Sequence, residues 1–125
     1  MKKFLISILV SFPISAYADV HYSTYYHKCM DESKGITSEM LNCISIETQY
    51  QDDRLNKIYK KLQQQLAQNE KLKLRDEQRT WIKTRDNKVN KIYKTQGGSM
   101  ADINGQSLYL ELTIKQADKL ERRIK

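Results

Sequence analysis

Trp81 is the only tryptophan of the chain, and it shares a helical face with two polar side chains. Gln78 precedes it by three residues and Arg85 follows it by four, so all three point to the same side of a helix. The rest of the stripe is apolar, and an amide or a guanidinium buried there needs hydrogen-bonding partners. The face is therefore either a binding site or a set of ties between helices. Its members are Leu74, Gln78, Trp81, Ile82, Arg85, Val89 and Ile92.

Side chains that carry out catalysis are present, but their spacing does not match a catalytic site. His21 and His27 lack the serine or carboxylate pattern of a triad. Carboxylates occur in adjacent pairs, but neighbouring residues on a helix point about 100° apart. Gly97-Gly98-Ser99 lacks the lysine of a phosphate-binding loop and is typical of a turn. We therefore expect a protein that is not an enzyme and that holds no cofactor.

The chain begins with the pattern of an export signal, which covers residues 1–18. Two lysines form a basic start, an apolar stretch occupies 4–14, and Ala16 and Ala18 are the small residues that precede a cleavage site. We expect cleavage after Ala18 and a mature protein that is periplasmic or secreted. The remaining residues 19–125 are enough for one domain with a single core.

Cys29 and Cys43 lie on either side of Gly35, where two short arms of the chain can turn back on each other. An exported protein with two cysteines most simply forms one disulfide. A metal site built from these thiols with His21 and His27 is the alternative, but cysteines so far apart lack the close pair of a zinc site. We predict a Cys29–Cys43 disulfide and no metal site.

Positive charge is concentrated on the segment that carries Trp81. The mature chain has 20 lysines and arginines against 15 aspartates and glutamates, a net charge of +5, and residues 70–94 hold nine basic and four acidic side chains. This bias suits an anionic partner but is also common on solvated helices. No nucleic-acid-reading module accompanies it, so we expect no nucleic-acid partner, and membrane-surface binding is a minor alternative.

Helical periodicity predicts an all-α fold, a small helical bundle built on a long antiparallel hairpin. The first long helix is expected over 37–68, with Thr37 or Ser38 as its cap, and the second over 70–94. A loop from Thr95 to Gly105 and a last helix over 107–124 follow. The stripe that predicts the first long helix contains Ile44, Thr48, Asp52, Leu55, Ile58 and Leu62.

Two motifs are specific in combination, Leu55-Asn56-x-x-Tyr59 and Gln78-x-x-Trp81, in that order on consecutive helices. With them the chain resembles the lysozyme inhibitor LprI-like family over nearly all of its mature length. The resemblance implies a small exported helical protein, and the member that names the family inhibits lysozyme by binding. The structural family motif comprises Asp52, Leu55, Asn56, Tyr59, Leu74, Gln78, Trp81, Arg85 and Asp86.

The chain also departs from the family pattern. Related sequences often carry a second pair of cysteines where Val89 and about Leu108 stand here, and Gln116 replaces a common arginine. The resemblance therefore implies that apolar packing ties the second helix to the last.

Asp52 and Tyr59 are expected on the inner face of the first long helix, opposite Arg85, Gln78 or Trp81 in the hairpin. A carboxylate facing a guanidinium there would satisfy two groups that are costly to bury. We hypothesise an Asp52–Arg85 ion pair and interpret Trp81 as an anchor between the two helices.

Two functions fit the sequence. The first is a periplasmic binding protein that blocks a muralytic enzyme, either a host lysozyme or a rival's toxin, by inserting the segment 97–105 into its cleft. Animal lysozymes are strongly basic, so a chain of net charge +5 needs acidic residues at the contact. The alternative is a structural or envelope-stress protein that binds anionic envelope components through its basic helix. Candidate partner-binding residues are Gly97, Gly98, Ser99, Asp102, Arg79 and Lys83.

Overall fold

The computed structural model describes residues 19–125, and the predicted signal peptide lies outside them. Four helices make up this part of the chain, which contains no strand. The predicted all-α class is therefore confirmed. None of the helices within 19–125 combines the length and the hydropathy needed to cross a membrane. The helices are α1 (Thr24–Glu32), α2 (Thr37–Gln64), α3 (Gln68–Thr95) and α4 (Gly98–Glu121).

Local backbone chemistry sets the helix boundaries. The hydroxyl of Ser23 caps α1 by accepting a hydrogen bond from the Tyr26 N–H at 3.1 Å. Gly35 turns the chain between α1 and α2 at φ 77°, in the left-handed region that a residue without a Cβ adopts readily. The N-cap of α2 is Ile36, which makes no side-chain cap, so the predicted cap by Thr37 or Ser38 is wrong.

The predicted loop over 95–105 is also wrong. Helix α4 begins at Gly98 instead of about residue 107, and only Gln96 and Gly97 separate it from α3. The extra turns are helical because they continue a buried stripe: Ala101 is in the core and Ile103 packs against it.

Gly105, expected to end the loop, instead lies buried inside α4. A Cβ at this position would lie 2.7 Å from the ring of Tyr93 on α3. The glycine therefore permits a close approach between α3 and α4. Its missing side chain serves this contact, and its backbone conformation does not require a glycine.

Helix α4 is the central element of the bundle, because it packs against both α2 and α3. Its buried stripe of Leu110, Ile114, Ala117 and Leu120 is fully inaccessible to solvent. Leu110 and Ile114 meet Ile44 of α2 at one end of the core. At the other end, residues of α2, α3 and α4 form one apolar cluster, which comprises Leu55, Ile58, Leu62, Leu74, Ala117 and Leu120, with Tyr59 and Trp81 packed against it.

The inner face of α2 differs from the predicted stripe in its first half. Glu47 and Gln51 are buried, whereas Thr48 and Asp52 are only partly covered. From Ile44 onward the buried positions follow steps of three or four residues, so they form a regular helical face. They are Ile44, Glu47, Gln51, Leu55, Ile58 and Leu62.

The buried Glu47 carboxylate joins α1 to α2. Its Oε1 accepts hydrogen bonds from the Ser23 N–H at 2.8 Å and from the Gln51 amide at 2.8 Å, and its Oε2 accepts one from the Ser23 hydroxyl. The negative charge lies at the N-terminus of α1, where the helix dipole favours it.

The same network reaches α4 through Arg54. Its guanidinium donates to Gln51 at 3.2 Å, to Asp118 at 2.6 Å and to Glu121 at 2.7 Å. Asp118 is well covered, so its charge-assisted hydrogen bond is less screened than a surface ion pair. One chain of hydrogen bonds thus links α1, α2 and α4.

Helix α1 itself contains no buried residue, so packing alone does not hold it. The predicted disulfide between Cys29 and Cys43 is confirmed and fixes α1 to α2, with the two Cα atoms 5.7 Å apart. Tyr22 and Tyr26 stack at a centroid distance of 4.6 Å and cover the Ile44 end of the core. Burial raises the pKa of Tyr22 to about 12, and Tyr26, Glu111 and Glu47 act in the same direction.

Replacement of Glu47 tests whether this carboxylate holds α1. Glu47→Ala leaves the Ser23 N–H, the Ser23 hydroxyl and the Gln51 amide without their acceptor, so the free energy of unfolding should fall by about 2 kcal/mol. Urea melts measure the change. Asp53→Ala, an exposed carboxylate on the same helix, should change it by less than about 0.5 kcal/mol. Equal effects of the two substitutions would show that the Glu47 contacts contribute nothing specific.

Candidate functional site

The polar residues beside Trp81 find their partners on α4 rather than on α2. The Gln116 amide donates a short hydrogen bond to the side-chain oxygen of Gln78, which ties α4 to α3. Gln116 is the residue that stands where an arginine is common in the family. Here the side-chain amide of Gln116 binds the side-chain amide of Gln78, so the hydrogen bond forms between two neutral groups.

Arg85 is buried between two aromatic rings. Its guanidinium carbon lies 4.8 Å from the centroid of the Trp81 ring and 4.0 Å from that of Tyr109 on α4. Its Nε donates to the Asp86 carboxylate at 3.0 Å. Cation–π contacts are stronger when the cation is desolvated, so this stack stabilises the α3–α4 interface. Trp81 packs against the apolar cluster of α2, α3 and α4, and its stacked arginine reaches α4 instead of α2.

The hypothesised Asp52–Arg85 ion pair does not form, which corrects that expectation. No nitrogen of Arg85 lies within 4.0 Å of the Asp52 carboxylate, because the guanidinium is stacked on Tyr109 and paired with Asp86. The two charges still interact at longer range. Burial raises the pKa of Asp52, and the neighbouring Asp53 charge acts in the same direction, whereas the Arg85 charge and the nearby Tyr109 hydroxyl only partly oppose that rise.

A groove of about 270 Å³ opens beside this cluster, between α2 and α3. Helix α4 forms its floor. Asp52 lies at its wall, and the rings of Tyr93 and Tyr109 border it, so the groove offers one carboxylate and two phenols to a ligand. Its lining comprises Ser45, Thr48, Gln49, Asp52, Val89, Tyr93, Gly105, Gln106 and Tyr109. Within 19–125, no three His, Cys, Asp or Glu side chains are grouped as a metal site requires.

The motif residues have different structural roles. Leu55 and Leu74 are in the core, and Tyr59 packs at its edge, where its hydroxyl accepts a hydrogen bond from Gln63 at 2.8 Å. Asn56 is exposed, and the structure gives no reason for its presence.

The candidate partner-binding residues lie in two separate places. Gly97, Gly98, Ser99 and Asp102 are exposed at the α3–α4 turn. Arg79 and Lys83 are exposed on α3. A helix rises about 1.5 Å per residue, which puts Arg79 and Lys83 roughly 24 and 18 Å from the end of α3. The structure therefore does not bring the two sets together into one compact site.

Glu47 and Tyr109 are the important residues that sequence reasoning missed. Glu47 had a detectable signal, since it continues the regular spacing from Ile44 to Gln51 and Leu55. Tyr109 had none, because its role depends on the packing of α4 against both α2 and α3.

The pH dependence of stability distinguishes a desolvated Asp52 from an ion-paired one. A pKa raised in the folded state means that folding favours the protonated form. Stability from this site is therefore present below the unfolded pKa of about 3.9 and is lost as the pH rises through the folded value. Asp52→Asn removes this titration, so the variant should gain stability relative to the wild type between pH 3 and pH 7.

Urea melts at both pH values measure this difference, with Asp102→Asn as a control at an exposed carboxylate. A variant that instead loses stability relative to the wild type as the pH rises would show that a direct attraction between Asp52 and Arg85 dominates.

The fold and these contacts define a small, disulfide-tied helical domain whose characteristic polar residues connect its own helices. A family model described as Lysozyme inhibitor LprI matches residues 29–120, which include both cysteines, all of α2 and α3, and α4 except its last residue. The chain belongs to this family. Searches of curated proteins and of solved structures found no significant match.

Proposed function

We propose that this protein inhibits a lysozyme-type enzyme by non-covalent binding. Membership of the lysozyme inhibitor LprI family over residues 29–120 is the observation that carries the proposal. It also favours a binding protein over an enzyme. The disulfide and the family are consistent with a location outside the cytoplasm, where disulfides persist and where cell-wall hydrolases act. Export through the signal peptide over residues 1–18 belongs to the same proposal.

A rigid domain suits this mode of inhibition. Glycoside hydrolases cleave the glycosidic bond with two carboxyl groups of the enzyme, which flank that bond in a cleft. A protein bound over the cleft therefore blocks catalysis by excluding the substrate. Side chains and loops that become ordered on binding lose conformational entropy, which reduces the affinity. The disulfide and the Glu47 network order α1 and α2 beforehand, which limits that loss.

The α3–α4 turn is one candidate contact with the enzyme. Because α4 starts at Gly98, the turn is a narrow helix tip rather than a long flexible loop. Gly97, Gly98 and Ser99 have small side chains, and the neighbouring Met100 is 61% exposed. A tip of this kind can enter a cleft, but its first turn carries no acidic side chain, and Asp102 is the single carboxylate beside it that could attract a basic enzyme.

Lysis of a bacterial cell-wall suspension tests the proposal. Protein at micromolar concentration should slow clearing by a basic animal lysozyme, the inhibition should saturate, and dilution should restore activity because no covalent bond forms. The rate of turbidity loss is the measurement. Reduced and alkylated protein is the control, since it lacks the disulfide that fixes α1. An unchanged lysis rate at every concentration, together with no detectable binding, would contradict the proposal.

The second candidate function is attachment to anionic envelope components through α3. The observation that favours it is the exposure of Arg79 and Lys83, neither of which has a carboxylate within 4.0 Å. Sedimentation with anionic vesicles that is lost in Arg79→Gln/Lys83→Gln, without any effect on lysozyme, would favour this function over inhibition.

A further inference from the structure

Three large apolar side chains lie exposed at the junction of α1 and α2. Tyr25 on α1 is 53% exposed, and Ile46 and Tyr50 on α2 are 41% and 56% exposed. They border one shallow groove of about 510 Å³, together with Ser23, Thr24 and the edge of Glu47. We call Tyr25, Ile46 and Tyr50 the tyrosine face.

Covalent and hydrogen-bonding constraints fix the position of the tyrosine face. Helix α1 buries none of its residues, yet the Cys29–Cys43 disulfide and the hydrogen bonds of Glu47 to Ser23 fix it against α2. These constraints position Tyr25 beside Ile46 and Tyr50. Tyrosine on a fixed backbone binds proteins well, because it offers a large amphipathic surface and has little rotational freedom to lose.

Acidic side chains flank the tyrosine face on both helices. Glu39 and Asp53 are exposed seven residues before and after Ile46, so they share its side of α2. Glu32 stands seven residues after Tyr25 on α1, where it also lies 3.8 Å from Lys28. Within residues 19–125, neither Glu39 nor Asp53 has a basic side chain within 4.0 Å, so both charges can face a partner.

The charge of the whole domain is divided in the same way. Residues 19–53 hold seven acidic and two basic side chains, a net charge of −5, whereas residues 54–125 hold 18 basic and eight acidic ones, a net charge of +10. The acidic part of the chain is therefore the segment that carries the tyrosine face. A basic partner is repelled by the net charge of the domain, so the acidic side chains of this segment are the ones that can attract it.

We propose that the tyrosine face, with Glu39 and Asp53 at its border, is the surface that docks a basic protein of the lysozyme type. This inference rests on the proposed function and specifies its contact. Apolar anchors enclosed by charged residues are the usual composition of a protein-binding surface. The acidic border supplies the attraction that the α3–α4 turn and the basic side of α3 do not.

Matched double variants test the apolar part of the surface. Ile46→Ala/Tyr50→Ala removes two anchors of the tyrosine face. Leu72→Ala/Ile82→Ala removes two large apolar side chains on α3, where they are 43% and 40% exposed. Biolayer interferometry should show at least a tenfold rise in Kd for lysozyme with the first variant and less than a twofold change with the second. Circular dichroism melts check that both variants remain folded.

Matched charge variants test the electrostatic part. Glu39→Gln/Asp53→Asn should slow association severalfold at low salt and weaken its dependence on ionic strength, because steering acts mainly on the association rate. Arg79→Gln/Lys83→Gln should leave the rate unchanged or raise it. Lysozyme whose lysines have been succinylated should lose binding, since its charge is then reversed.

The outcomes separate this inference from the function on which it rests. Binding that is weakened by the tyrosine-face variants alone supports the inference. Wild-type binding that the tyrosine-face and α3 variants alter equally overturns it and leaves inhibition standing. Self-association that the tyrosine-face variant abolishes, with lysozyme binding intact, overturns it as well, because the face then binds a second copy of the chain. Absence of wild-type binding overturns both.

Discussion

The carboxylate of Glu47 is buried and accepts hydrogen bonds from neutral donors on both α1 and α2. A buried charge is costly unless its hydrogen-bonding capacity is used, so Ser23 and Gln51 must stay in place for the domain to be stable. Gln51 then positions Arg54, which reaches Asp118 and Glu121 on α4. Together with the disulfide, this network decides where α1 lies, and the apolar stripe of α4 only has to hold α2 and α3.

The sequence predicted the features that depend on residue type and spacing alone. Two cysteines around Gly35 were enough for the disulfide, and helical periodicity was enough for the all-α class. The family motif was recognisable for the same reason. Asp52 and Arg85 were wrongly paired because consecutive helices were assumed to share their main interface, whereas α4 packs against both and provides Tyr109 as the partner of each.

The remaining errors have a common physical origin. Gly105 was taken to end a loop, but a glycine is required there by the ring of Tyr93 and not by unusual backbone angles. Likewise, Thr48 and Asp52 were assigned to the buried stripe of α2, whereas the regular steps from Ile44 to Leu55 place Glu47 and Gln51 there. Tertiary contacts decide the role of Gly105 and the burial of Glu47. Gly105 contacts Tyr93 and Glu47 contacts Ser23, and each of these partners lies on a different helix or at its N-cap. The candidate binding residues were sought on the basic segment, whereas the exposed apolar face lies on the acidic one.

The central claim is that the ordered, acidic α1–α2 region is the part of this family member that meets a basic muralytic enzyme. Amide hydrogen–deuterium exchange, measured on the protein alone and with a saturating basic lysozyme, tests it most directly. Helix α1 buries none of its residues, so a partner that covers it adds protection that the free protein lacks. We expect slower exchange over residues 23–53 in the complex, with residues 75–102 unchanged. Protection confined to 75–102 would contradict it.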